Sequence, residues 1–396
     1  MKIKLEDIQQ IRIGFAAIQN KEDLVYLLNE AKNLLYGKQS MPIQLKALTY
    51  YTNPSICNRR YQEFSIKKKS GDPRIINAPV KGLKVILRAL NFILQCHYQA
   101  PKSITGFIPD KSIVDNAKLH LGKNYVYNID LKDFFHSFDR NRVKLGFMAE
   151  PFNLKNEREP LAFFLASLCT HPFEIEGSIQ IVLPQGSPTS PTLTNILCSN
   201  LDRRLNGLAN RFGVTFSRYA DDITFSSLHN VYETDDFQNE LKRIIEEDQL
   251  LKINPKKTRL QKNGYRQEAT GLIVNEKVNV KRRYIKKLRM WLYYWEKYGY
   301  EKAEQIFLKD YIKDKGNVKS PNSKLEKVIE GKLEYLKMVK GVDDTTYLNL
   351  LQKFEKLADR ENIKQSLKVD LEAVIDEIIN EGLEAGIDLY NKFKSS

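Results

Sequence analysis

A chain of 396 residues, 42% of them hydrophobic, has ample material for a core and exceeds ordinary single-domain size, so about two to four lobes are expected. No apolar run of about 18 residues occurs, and the segment Met1 to Asp7 lacks the apolar stretch of a secretory signal, which predicts a soluble, cytoplasmic protein with no membrane partner. The net charge is +14, and Cys57, Cys96, Cys169 and Cys198 lie far apart without a C-x-x-C pair, so reduced core thiols are expected rather than a structural zinc.

Residues 5–36 carry apolar side chains at near-helical spacing, including Ile8, Ile11, Phe15, Leu24, Leu27 and Leu28. Residues 61–66 then alternate like a strand, residues 67–73 hold Gly-Asp-Pro turn chemistry, and Arg74-Ile75-Ile76 resumes extended structure, which together predict a basic hairpin. A helix follows over 82–99, and residues 125–130 read as a buried strand ending at Asp130. A helix is expected over 193–205, entered through the turn at Gly186-Ser187. Strands over 214–219 and 223–226 flank a bend at Ala220-Asp221-Asp222. Residues 237–248 form a charged amphipathic helix, 268–274 a further strand, and 283–308 an aromatic-rich helical stretch ended by the polar break 314–323. Helices over 325–339 and 345–357 and an acidic amphipathic helix over 369–393 complete the chain.

Charge is unevenly placed. Between Lys252 and Arg289 stand 13 Lys and Arg against only Glu268 and Glu276, whereas from Arg360 onward 5 basic residues face 8 acidic ones. A basic strip is the footprint of a phosphate-backbone contact, because neutralising phosphates releases condensed counterions, although a merely solvated face has the same composition.

Asp130 at a strand end and Asp221-Asp222 at a tight bend are the arrangement that in-line displacement at phosphorus requires. Two divalent ions about 4 Å apart stabilise the attacking and leaving oxygens, and the protein must gather carboxylates that would otherwise repel. An Asp-Asp pair alone is an ordinary turn. Its context is the string Leu183-Pro184-Gln185-Gly186-Ser187-Pro188-Thr189-Ser190-Pro191 between the acids.

Asn128-Ile129-Asp130-Leu131-Lys132-Asp133-Phe134-Phe135, then residues 183–191, then Arg218-Tyr219-Ala220-Asp221-Asp222, resemble the successive palm motifs of reverse transcriptases. The resemblance covers roughly residues 61–340 and implies an α+β right-hand polymerase with a four-stranded antiparallel palm sheet. It implies an N-terminal helical extension over 1–40, fingers over 41–124, a palm over 125–280 with a fingers insertion at about 140–182, a helical thumb over 281–360 and an acidic tail over 361–396. It further implies Asp130, Asp221 and Asp222 as catalytic residues, with Leu131 joining them around two Mg2+ ions.

By the same resemblance, Lys69, Arg74, Phe135, Gln185 and Lys257 are expected at the nucleotide. A guanidinium fork such as that of Arg74 matches phosphate oxygens. Phe135 would block a ribose 2′-hydroxyl, or else is a core ring. Gln185 would contact the nucleotide or the template pair. Lys257 resembles a lysine proposed to protonate pyrophosphate, and simple phosphate attraction fits it equally.

Asn116-Ala117-Lys118-Leu119-His120 resembles the Asn-Ala-x-x-His signature of retron reverse transcriptases, and Ala269-Thr270-Gly271 their Val-Thr-Gly, with the first position departing. This implies a structured noncoding RNA and its cDNA as partners, dNTP substrates, priming from an RNA 2′-hydroxyl, and phage defence beside a possible effector protein. Asn116, His120, Thr270, Gly271, Lys281, Arg282, Arg283, Lys286, Lys287 and Arg289 are then expected at nucleic acid, His120 being otherwise a satisfied helical histidine and Gly271 a strand position of close backbone approach. The aromatic rings of the same stretch either pack a core or stack on bases. Residues after about 360 are too few and too acidic for the extra region of an intron maturase. Other antiphage reverse transcriptases, and a noncatalytic RNA-binding scaffold, are the competing readings.

Overall fold

A computed structural model describes residues 4–37, 40–57, 59–67, 73–315, 324–361 and 373. The chain divides into two compact units, Met1–Val278 and Asn279–Ser396.

The first unit opens with helices α1 (Leu5–Ala17) and α2 (Lys21–Tyr36). The single helical stretch expected over 5–36 is two helices because Asn20 starts a new one: its side chain accepts from the Asp23 N–H while Asp23 accepts back from the Asn20 N–H. Helix α3 (Leu45–Thr52) leads to the hairpin of β1 (Tyr61–Lys67) and β2 (Pro73–Pro79), paired from Tyr61–Pro79 to Lys67–Pro73. The expected basic turn between them, with Lys69, lies outside the described residues. Helix α4 (Lys81–His97) buries nine of its side chains, among them Leu83, Leu87, Leu90 and Ile93, and α5 (Ile113–Lys118) follows.

The central strand is β3 (Tyr125–Lys132). Helices α6 (Arg140–Met148) and α7 (Glu159–Cys169) and the hairpin β4 (His171–Ile175) and β5 (Ser178–Val182) intervene. Next come α8 (Ser190–Leu197), α9 (Ser199–Phe212), β6 (Thr215–Tyr219), β7 (Asp222–Ser227), α10 (Asp235–Lys242), β8 (Lys252–Ile253) and β9 (Arg259–Lys262). The helix expected over 193–205 is thus a pair, beginning at Ser190 with Pro191 in its first turn, where a missing N–H costs nothing.

The sheet runs β6-β7-β3, with β8 and β9 following one another along the far edge of β3, so the four expected strands are five, one edge being split. All pairings are antiparallel. Side chains alternate between faces. Ile129, Leu131, Ile223, Phe225 and Phe216 therefore share the core side, where all are buried. Asn128, Asp130, Asp222 and Thr224 share the opposite side. The sequence thus builds an apolar wall and a polar floor from one alternation.

The strand expected over 268–274 is instead a two-residue hairpin, β10 (Glu268–Ala269) and β11 (Leu272–Ile273). Thr270 (φ 48) and Gly271 (φ 82) both adopt left-handed backbone, the requirement of a type I′ turn.

The second unit comprises α11 (Arg282–Tyr298), α12 (Tyr300–Lys315), α13 (Leu325–Lys340) and a helix over 345–361. The aromatic stretch expected as one helix is split at Gly299, whose φ of 79 caps α11. Leu288, Trp291, Leu292 and Trp295 fall on one face of α11 and are buried. Trp291 meets Phe307 edge-on, and Trp295 meets Tyr300 and Phe354. The expected acidic tail helix lies outside the described residues.

Candidate active site

Strand pairing sets Asp130 directly opposite Asp222 across β3 and β7, while the Leu131 N–H donates to the Asp221 carbonyl at 3.1 Å. Three acids from segments about 90 residues apart therefore share one end of the polar floor. Directly opposed like charges repel. Burial first, then the charges of Asp221 and Asp130, push Asp222 up to about 6. Asp221 is also raised, by burial first and by Asp130, against the opposing pull of Lys257 and Arg74.

The bend carrying the pair is held from below. Ala220 takes a left-handed φ of 59, costly for a residue with a Cβ. Residues 103–106 run alongside β6, exchanging the Thr105 N–H to Arg218 O bond (3.1 Å) and the Arg218 N–H to Ser103 O bond (2.9 Å). Gly106 then lies so close that an added Cβ would sit 2.4 Å from the Ala220 nitrogen. Its carbonyl accepts from Asn195 Nδ2 of α8 at 2.8 Å. Gly106→Val is expected to displace the bend and lower polymerisation by about 10²-fold, the scale of an ångström-sized misplacement, with secondary structure retained by circular dichroism.

Arg218 projects onto the core side beside Phe216 and is 0% exposed. It makes a two-pronged ion pair with Asp202 of α9, at 2.6 and 2.7 Å, and its third arm donates to the Ala220 carbonyl at 3.1 Å. Gly106, Asn195, Asp202 and the role of Arg218 went unassigned in the sequence. One signal was present, since an arginine on the apolar phase of an alternating strand demands a buried acid.

Asn116 and His120 correct an expectation. Both are 0% exposed, so neither side chain reaches a surface where nucleic acid could touch it. Asn116 accepts from Thr105 Oγ1 at 2.8 Å, next to Gly106. His120 stands between Ser217 of β6 and Ser226 of β7, each ring nitrogen 2.7 Å from a hydroxyl, and burial lowers its pKa to about 3. His120 thus ties β6 to β7, and Asn116 ties α5 to the segment that runs beside β6. Thr270 is half-buried, its hydroxyl donating to the Ile113 carbonyl at 3.1 Å, and Gly271 is exposed with open space around it.

Arg74 is exposed on β2 and its charge reaches Asp221. Phe135 is half-buried in a 3-10 turn, its ring centroid 6.3 Å from Phe107 and 5.8 Å from Phe134. The Gln185 carbonyl accepts from the Asn77 N–H at 2.8 Å, and a Cβ on Gly186 would meet the Asn77 carbonyl at 2.6 Å. Lys257 Nζ lies 2.8 Å from Asp130 Oδ1, and Asn254 Nδ2 lies 2.9 Å from Oδ2. Lys281, Arg282, Arg283, Lys286 and Arg289 are exposed at the start of α11 and Lys287 is half-buried there, whereas Trp291 and Trp295 belong to the core.

Among the described residues, no three His, Cys, Asp or Glu side chains already converge as metal ligands. At Asp130 both carboxylate oxygens face side-chain donors, Asn254 and Lys257. The donor set still suits hard divalent cations: carboxylate oxygens, with Asp221 and Asp222 raised in proton affinity by burial and by neighbouring acid charge. Leu131 has only its backbone to offer, its side chain being buried. Since a cation must displace the proton of Asp222, Mn2+ affinity is expected to be level above about pH 6 and to fall about tenfold per unit below it, as titrations across that range will test.

An antiparallel floor with paired acids at a strand end and a tight bend is consistent with the palm of a right-hand polymerase. The reverse transcriptase (RNA-dependent DNA polymerase) family matches residues 66–281. The chain is 32% identical over 300 residues to the retron Mx65 reverse transcriptase of Myxococcus xanthus, covering 73% of this chain and 66% of that protein. It is 36% identical over 236 residues to the retron Ec86 reverse transcriptase of Escherichia coli (58% and 68%), and 34% over 229 to the retron Mx162 enzyme of Myxococcus xanthus (54% and 47%). The chain belongs to the reverse transcriptases, and among them to the retron type. It spans about two thirds of the length of the first two relatives and about half of the third.

Proposed function

We propose that this chain extends DNA from dNTPs on a structured noncoding RNA, priming from an RNA 2′-hydroxyl, with two Mg2+ ions at Asp130, Asp221 and Asp222. The observation that carries the reading is the register of Asp130 against Asp222 beside the bend at Asp221, in a chain of retron-type sequence. Residues 41–124 act as fingers, 125–280 as palm with the insertion 140–182, and 281–360 as thumb. Metal ions, when bound, would stabilise the attacking and leaving oxygens of the phosphoryl transfer.

The chain's own residues supply the rest. Arg74 grips the triphosphate, Phe135 excludes a 2′-hydroxyl, Gln185 lies against the nucleotide or template pair, and Lys257 contacts phosphate. Lys281, Arg282, Arg283, Lys286, Lys287 and Arg289 contact nucleic acid, as do Thr270 and Gly271. The product is cDNA joined to its RNA, made in the cytoplasm, and the system acts in phage defence with a separate effector protein. Among the described residues, no helix is long and apolar enough to cross a membrane.

The test is to purify the protein from its natural genomic context and sequence the bound nucleic acid before and after RNase treatment. A defined short DNA on one RNA species is expected. Heterogeneous DNA would instead favour an antiphage enzyme without a dedicated template, and RNA alone a noncatalytic scaffold.

A further inference from the structure

The turn after β8 touches Asp130 in three places, and the three contacts differ in kind. The Asn254 N–H donates to the Asp130 carbonyl at 2.8 Å, and the Asn254 side chain donates to Oδ2. Its own carbonyl is gathered by the Lys257 N–H (3.1 Å), the Thr258 N–H (3.0 Å) and the Thr258 hydroxyl (2.9 Å). Asn254 is thereby fixed at both ends. Lys257 is not: its side chain is 62% exposed, and the ammonium reaches Oδ1 on a flexible four-carbon stem.

An ammonium at hydrogen-bond distance from a carboxylate oxygen weakens the binding of a divalent cation to that oxygen, because like charges at that range repel. We propose that Lys257 competes with the divalent cation for Asp130 Oδ1, so that metal uptake releases the lysine, while Asn254 is the positioning residue that keeps the carboxylate aimed during the exchange. The proposal rests on the reading of Asp130, Asp221 and Asp222 as the cation site. It gives Lys257 a task before chemistry begins. The lysine neutralises a crowded acid until the metal arrives, and the freed ammonium is then available to phosphate.

Binding of Mn2+ alone to the full chain, followed by the electron paramagnetic resonance signal of the free ion, tests this without reference to polymerisation. Lys257→Gln is expected to tighten Mn2+ binding by about fivefold, the scale of one partly exposed ion pair. Lys256→Gln removes an equal charge from the same turn with no contact to Asp130, and should change affinity by less than about twofold. Asn254→Ala should weaken binding while leaving the melting temperature near that of the unsubstituted chain. If Lys257→Gln binds Mn2+ no more tightly than Lys256→Gln, the competition is overturned. If Asn254→Ala binds as the unsubstituted chain does, the positioning role is overturned. Mn2+ binding that survives Asp221→Asn with Asp222→Asn would instead overturn the cation site itself.

Discussion

Asp221→Asn combined with Asp222→Asn is expected to lower primer extension by at least about 10⁴-fold, because electrostatic stabilisation of the transferring phosphoryl group is the largest catalytic term such a site supplies. RNA affinity, measured by filter binding, should be unchanged. Stability carries a sign of its own. Both carboxyls are raised in the folded chain, so the native state holds their protons more tightly than the unfolded one. Their contribution is complete below the ordinary carboxylate range and drains away as pH climbs toward about 6, where Asp222 ionises against its neighbours. In metal-free buffer above that pH the double variant should therefore melt at the same temperature as the unsubstituted chain or higher. A clear loss of melting temperature would mean that the acids serve the fold, and a clear retention of synthesis that they do not serve the chemistry.

Arg218→Met is expected to cost ~3–5 kcal/mol in urea unfolding, because it leaves the Asp202 carboxylate buried without its partner. Adding Asp202→Leu should return most of that loss, since a well-packed apolar pair of similar volume replaces a buried ion pair at little cost. Activity should not return with stability. The third guanidinium arm holds the Ala220 carbonyl at the strained bend, and no apolar pair can replace that donor. Stability and synthesis measured on the same double variant therefore separate the two duties of Arg218. Recovery of both together would remove the bend from its duties.

How much of this was legible beforehand depended on whether the signal was local. Alternation along 125–130 and 214–226, with Asp-Asp at the bend, gave the polar floor and its acids from sequence alone, because a strand's side-chain period fixes which residues share a face. The hairpin whose second strand resumes at Arg74 was equally plain. What escaped depended on contacts between segments far apart in the chain. Asn116 and His120 read as a recognition motif, yet their partners Thr105, Ser217 and Ser226 turn them inward. Gly106 carries no local mark, its need for a missing Cβ existing only where Ala220 comes near. The break at Asn20 and the turn at Thr270-Gly271 were readable in principle, from a capping box and from a pair of left-handed residues, but helical period and strand propensity outweighed them.

The seam between Asn77 and the Gln185-Gly186 turn has a mechanical meaning. One backbone bond and a glycine with no room for a methyl group rivet the root of the β1–β2 arm to the loop that precedes α8. An arm so riveted is anchored at its base. Arg74, three residues along β2 from Asn77, is thereby tied through the root of the arm to the loop that carries Gln185.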